Sequence, residues 1–120
     1  MTNPQNPPAA EKMFRELLPL VQTALNAIDK EFGEILINDV FNRVYGREGK
    51  LDIKTRELCT VSMLSALGRP DDLKTHFGVA LNLGWGLEEL QECLLLCCIY
   101  AGQEAAIVGL NIYRECTENP

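Results

Sequence analysis

Residues 51–84 read LDIKTRELCTVSMLSALGRPDDLKTHFGVALNLG and decide the fold. Two apolar patterns with helical spacing lie in this stretch, and Gly68 and Arg69 separate them as a tight turn. Pro70 follows at once, and proline is favoured at the first helical position because its fixed φ suits a helix and it has no N–H to lose. The stretch therefore predicts two antiparallel helices, at 52–67 and 70–83.

The flanking sequence shows the same helical spacing, and no run alternates long enough to predict a strand. Further helices are predicted at 9–28, 29–45, 87–100 and 103–116, with Pro19 kinking or dividing the first. Glycines 46, 68, 84 and 102 are expected to end or separate helices. The predicted class is all-α, a compact bundle of about six helices. Residues 1–8, polar and rich in proline, are expected to form a flexible tail before a single domain at 9–120.

Composition excludes several kinds of partner. The 120 residues are 47% hydrophobic and carry a formal net charge of -6, so no basic surface is expected for nucleic acid or an anionic membrane. No window reaches the roughly 18 apolar residues of a membrane span, and the N-terminal residues do not resemble a signal peptide. We expect a cytoplasmic protein that binds neither nucleic acid nor membrane.

The cysteines predict neither disulfides nor a metal centre. There are five, an odd number, and most lie in apolar periodic segments where cysteine behaves as a small buried hydrophobe; they are Cys59, Cys93, Cys97, Cys98 and Cys116. The single histidine adds one possible ligand, and the spacings are not those of a zinc site. Buried thiols without a bound metal are the favoured interpretation, and any role for them is left open.

Two polar residues interrupt the apolar faces of the central helix pair. Glu57 lies in the stripe that includes Ile53 and Val61, and His76 lies between Leu73 and Ala80. At 1.5 Å per residue, the two are roughly 16 Å and 12 Å from the turn along their helices, so they can face each other at similar depth. A carboxylate beside an imidazole in a partly dry site supplies a proton donor and a proton acceptor together. The spacing alone favours a satisfied structural pair over a catalytic one, because structural ion pairs also perturb pKa values.

Residues 51–113 resemble the carboxymuconolactone decarboxylase family, with upstream matches at Phe32-Gly33 and Tyr45-Gly46. The resemblance rests on the order and spacing of several short motifs. These are Leu51-Asp52, Thr55-Arg56-Glu57-Leu58, Ala66-Leu67-Gly68-Arg69, His76 with Ala80-Leu81-Asn82 and Gly84, Glu88-Glu89-Leu90 with Glu92, and Tyr100-Ala101-Gly102.

This resemblance implies a helical protein that assembles as trimers or hexamers, with the central helix pair lining a pocket. The peroxidase branch of the superfamily has two redox cysteines before the motif histidine, where this chain has Arg69 and Asp72. Without those thiols the decarboxylase branch is the nearer relative. Its reaction is loss of CO2 from a carboxylated unsaturated lactone in aromatic degradation, without metal or cofactor.

In that reaction the electrons left by CO2 move into the lactone carbonyl, so a donor for the oxyanion and a proton for carbon are needed. The resemblance implies His76 for the first role and Glu57 for the second. The chain departs from decarboxylases at Phe77-Gly78, where a basic residue is usual, and at Gln103-Glu104, where a proline is usual, which leaves the substrate open. A non-catalytic oligomer that binds a small ligand and a thiol-dependent oxidoreductase remain alternatives.

Overall fold

The computed structural model describes residues 7–45 and 47–118, apart from the side chains of residues 7–14 and 17. Over these residues the chain is helical and has no strand, which confirms the all-α class. The elements are α1 (Pro7–Ile28), α2 (Lys30–Ile35), a π-helix (Leu36–Tyr45), α3 (Ile53–Ala66), α4 (Pro70–Asn82), α5 (Leu87–Tyr100) and α6 (Gln103–Glu118). None of these helices is long and apolar enough to cross a membrane.

The chain divides into two compact units between Ile53 and Lys54. The first contains α1, α2 and the π-helix, and the second contains α3 to α6. The single domain predicted for 9–120 therefore stays a prediction. The tail predicted at 1–8 falls mostly outside the described residues, and α1 already includes its last two positions.

In the first unit, α1 runs through Pro19 without ending, so the predicted alternative of a division there is wrong. A proline removes one backbone donor, and a helix of 22 residues keeps enough other hydrogen bonds to continue. The break comes at Asp29, whose extended backbone and side chain cap the next helix. Its Oδ1 accepts a hydrogen bond of 2.9 Å from the N–H of Phe32.

The helix predicted at 29–45 changes type part of the way along. It is an α-helix only as far as Ile35, and the remaining ten residues form a π-helix. A π-helix brings residues four to five apart onto one face, and Phe41 and Tyr45 stack there with ring centroids 5.8 Å apart. Residues 36–45 contain neither glycine nor proline that would indicate this change from the sequence.

In the second unit, the helix bounds follow the predicted ones closely. Both ends of α5 agree with the prediction, and α3, α4 and α6 differ from it by one or two residues at an end. Gly68, Gly84 and Gly102 have positive φ, as expected for glycines that follow helices. The core is formed by seven buried apolar residues from all four helices, namely Val61, Leu73, Phe77, Ala80, Leu90, Leu94 and Ile112.

The buried face of α3 is unusual because most of it is polar. Its buried residues are Lys54, Glu57, Val61 and Ser65, which follow one another at intervals of three or four and so lie on one side of the helix. Ser65 Oγ donates a hydrogen bond of 2.8 Å to the carbonyl of Ala105 in α6. The two charged residues of this face are Lys54 and Glu57, and both belong to the polar groups described next.

Candidate active site

Glu57 and His76 are in direct contact, as their position on facing helices predicts. His76 Nδ1 is hydrogen-bonded to Glu57 Oε1, and the pair links α3 to α4. Only 4% of the Glu57 side chain is exposed, against 28% of the His76 side chain. The carboxylate is therefore the more enclosed member of the pair, and the imidazole is the more exposed one.

The surroundings of His76 favour its charged form. The hydrogen bond to Glu57 is the largest influence and raises the pKa of His76 above its usual value. Burial opposes this by lowering the pKa, while the negative charges of Glu57 and Asp72 add to the increase. The pair therefore holds a proton more firmly than a free imidazole does, and Nε2–H is the donor that remains for a ligand.

Asp72 occupies one of the two positions where peroxidases of this superfamily have a redox cysteine. It lies in the first turn of α4, one turn before His76, and Arg69 stands at the other position. In place of a thiol, this chain has a carboxylate whose charge acts on the histidine.

Lys54 of α3 and Trp85, which lies in the connection between α4 and α5, form a second polar group. Lys54 is 4% exposed, and its Nζ lies 4.4 Å from the centroid of the Trp85 ring. Trp85 Nε1 in turn donates a hydrogen bond of 2.7 Å to the backbone carbonyl of Lys54. Sequence reasoning missed this lysine, although its position three residues before Glu57 places it on the same face.

Two of the thiols, those of Cys93 and Cys97, lie beside Ser62 of α3. Ser62 Oγ and Cys93 Sγ are 2.7 Å apart, and Cys97 Sγ lies 3.7 Å from the carbonyl of Ser62. Burial raises the pKa of Cys93, which disfavours the reactive thiolate. All five cysteines are free, as predicted, but the expected burial is wrong for Cys59 and Cys98, which lie on uncovered faces of α3 and α5.

Across residues 7–45 and 47–118, no three His, Cys, Asp or Glu side chains are grouped so that they could hold a metal ion. The chemistry available at the Glu57–His76 pair is proton transfer and hydrogen-bond donation from a charged imidazole.

The second unit consists of four helices, and Glu57 and His76 are paired between α3 and α4. These features define the class as an all-α protein with a Glu–His pair between two facing helices. The model of the carboxymuconolactone decarboxylase family matches residues 31–115. A 4-carboxymuconolactone decarboxylase of Acinetobacter baylyi is 34% identical over 91 residues, which are 76% of this chain and 67% of that protein. The chain belongs to the carboxymuconolactone decarboxylase family.

Proposed function

We propose that this protein is a cofactor-independent carboxy-lyase that acts on 4-carboxymuconolactone or a closely related carboxylated unsaturated lactone. The observation that carries the proposal is the Glu57–His76 pair, because it presents a charged donor with its counter-charge enclosed behind it. The similarity to a named decarboxylase over three quarters of the chain supports the same reaction class.

In the proposed reaction, the bond between a ring carbon and its carboxylate breaks and CO2 leaves. The two electrons of that bond move through the ring double bond onto the lactone carbonyl oxygen. His76 Nε2–H donates to this oxygen as its negative charge develops. A donor held in place before the reaction stabilises this charge without having to reorient, which is the main source of rate enhancement in such sites.

The intermediate then takes a proton on carbon. Glu57 was predicted to supply that proton, and its burial supports delivery through His76, since the imidazole is the more exposed of the two. The proton leaves the pair when carbon is protonated, and the product's release lets the pair take up another from solvent. One proton is consumed for each CO2 released, so the reaction needs no external oxidant or reductant.

The proposal includes self-association to a trimer or hexamer in the cytoplasm. Its support is a set of large apolar side chains of α5 that remain on the surface of one chain, namely Leu95, Leu96, Ile99 and Tyr100, with exposed fractions from 50% to 93%. Exposed apolar groups of this size in one helix are more often covered by protein than left in water.

The thiol-dependent alternative has less support. The pKa values of Cys93 and Cys116 are raised, mainly by burial, and a thiolate nucleophile needs the opposite shift. Binding of a small ligand without catalysis is the competing function, and a turnover assay distinguishes it from the proposed lyase.

The test is incubation of the purified protein with 4-carboxymuconolactone while CO2 release and the ultraviolet absorbance of the lactone are followed together. We expect CO2 and loss of substrate in equal amounts, without added metal or cofactor. Binding of the lactone with no CO2 above the buffer rate would support the non-catalytic alternative and contradict the proposal.

A further inference from the structure

Lys54 is a buried cation for which no described residue supplies an anion. With 4% exposure it is among the most enclosed charged groups of the second unit, and its Nζ lies against the face of Trp85. Among the side chains that the structure describes, no carboxylate lies within ion-pair distance of this ammonium. Buried charges in proteins are normally paired, so this arrangement calls for a cause.

A gain in folding stability does not explain why Lys54 is buried without an anion. An ammonium removed from water loses more solvation free energy than contact with an aromatic face returns. Lys54 also lies in the first turn of α3, where the helix dipole favours negative charge over positive. A group that is unfavourable on both counts is typical of functional positions.

Lys54 lies on the same face of α3 as Glu57. It precedes Glu57 by three residues, a rise of about 4.5 Å, so Lys54 lies on the same buried side of α3 as Glu57. The hydrogen bond from Trp85 Nε1 to the Lys54 carbonyl fixes this turn, and the indole ring supports the ammonium. A buried lysine thus stands one helical turn before Glu57 on α3, with its ammonium against Trp85.

We infer that Lys54 is the anion-binding residue of this site and pairs with the carboxylate that the substrate keeps. The inference rests on the proposed function and adds to it the position of the substrate's second carboxylate. The ligand class it defines is a lactone or similar small ring bearing a carboxylate on a short arm. The anion would complete the pairing that the described residues leave open around Nζ.

Lys54 must pair with the retained carboxylate and not with the departing one. The departing group loses its negative charge as CO2 forms, so a cation held against it would stabilise the ground state more than the transition state and slow the reaction. A cation on the retained carboxylate interacts equally before and during bond breaking. It therefore improves binding and leaves the chemical step largely unchanged.

Binding is tested first, without turnover. The probes are (5-oxo-2,5-dihydrofuran-2-yl)acetate, which has the retained carboxylate but no group to lose, and its neutral methyl ester. Calorimetric titration measures affinity, and emission of Trp85 reports the position of the ligand because the chain has one tryptophan. We expect the acid to bind roughly tenfold to a hundredfold more tightly than the ester, the range of a charge-assisted hydrogen bond, and to change Trp85 emission.

Lys54→Met should remove that preference, while Lys54→Arg should restore part of it. The matched control is Lys74→Met, which removes an equal charge from an exposed lysine of α4 paired with Glu115 at 3.4 Å. The control should bind both probes as the wild type does. Thermal melting of each variant verifies folding, and the comparison of acid with ester on the wild type needs no variant at all.

Kinetics supply the second measurement. With 4-carboxymuconolactone, Lys54→Met should raise KM by roughly tenfold or more and change kcat much less, as expected for an interaction of equal strength in ground and transition states. Equal binding of acid and ester by the wild type, or an unchanged acid preference in a folded Lys54→Met, would overturn the inference. Acid-selective binding that depends on Lys54, without CO2 release, would support the anion site and contradict the proposed lyase.

Discussion

Glu57 holds His76 from the protein interior: the carboxylate is 4% exposed and accepts a hydrogen bond from Nδ1, while 28% of the His76 side chain stays exposed. This order gives the two residues different tasks. In the proposed function, Glu57 sets the charge and orientation of the ring, and His76 presents that charge to the substrate. In other acid–base sites, too, one residue orients the neighbouring residue that reacts.

His76→Ala should abolish most activity without unfolding the chain. If His76 donates to the developing oxyanion, turnover of 4-carboxymuconolactone should fall by roughly a hundredfold or more, the usual cost of a lost preorganised donor. Melting temperature and light scattering verify that the variant is folded and assembled. If His76 serves only the core, stability should instead fall by about 1 to 3 kcal/mol through the unpaired partner, with near-normal turnover per folded molecule. That second result would remove the support for a catalytic role.

Glu57→Gln should lower the pKa of His76, because the hydrogen bond and charge of Glu57 are its main causes of increase. The chain has one histidine, so a single imidazole resonance in the NMR spectrum reports the titration without assignment by mutagenesis. Asp72→Asn is the graded control: it removes the weakest of the raising influences and should move the pKa in the same direction by less. A titration unchanged by Glu57→Gln would contradict the contact itself.

The stability of the wild type should depend on pH in a direction set by His76. Its folded pKa is raised, so the pair's contribution is fully present below the unfolded value of 6.5 and is lost as pH rises through the folded pKa. The free energy of unfolding of the wild type minus that of Glu57→Gln should therefore decrease as the pH rises above about 6.5. Denaturant titrations at several pH values measure the difference. An increase over the same interval would show that the charged pair is not present in the folded state.

Self-association is expected from the exposed apolar residues of α5. Light scattering should give a mass of three or six times 13.4 kDa at micromolar concentration. Ile99→Asp should reduce that mass, because a carboxylate cannot be covered by an apolar partner surface without a large desolvation cost. Gln103→Glu, an added charge at the start of α6, should leave it unchanged. A wild-type monomer would contradict the assembly and remove the reason given for these exposed side chains.

The thiols should not be required for turnover. Cys93→Ser and Cys97→Ala are expected to retain activity, and hydrogen peroxide with a dithiol should be consumed no faster than in buffer, because the pKa of Cys93 is raised and the redox positions hold Arg69 and Asp72. Loss of lactone turnover in folded Cys93→Ser would instead point to the thiol-dependent alternative.

Much of the second unit could be predicted from local sequence. Pro70 and the glycines after α3, α4 and α5 determine where helices start and stop, because φ restrictions act within one or two residues. The apolar periodicity of α3 and α4 placed Glu57 and His76 on inner faces, and the tight turn between the helices brought them to one depth. The first unit was less predictable: the transition to a π-helix after Ile35 has no marker residue.

The amino-acid sequence by itself determined the helical class, the main helix bounds of the second unit and the family motifs that include Glu57 and His76. Only the tertiary structure decided that Glu57 is enclosed behind the ring, that Lys54 is buried against Trp85, and that Cys59 and Cys98 are exposed. The physical reason is that periodicity defines the face on which a residue lies. Burial and pairing depend on which side chains of other helices reach that face, and Lys54 meets Trp85 from 31 residues further along the chain.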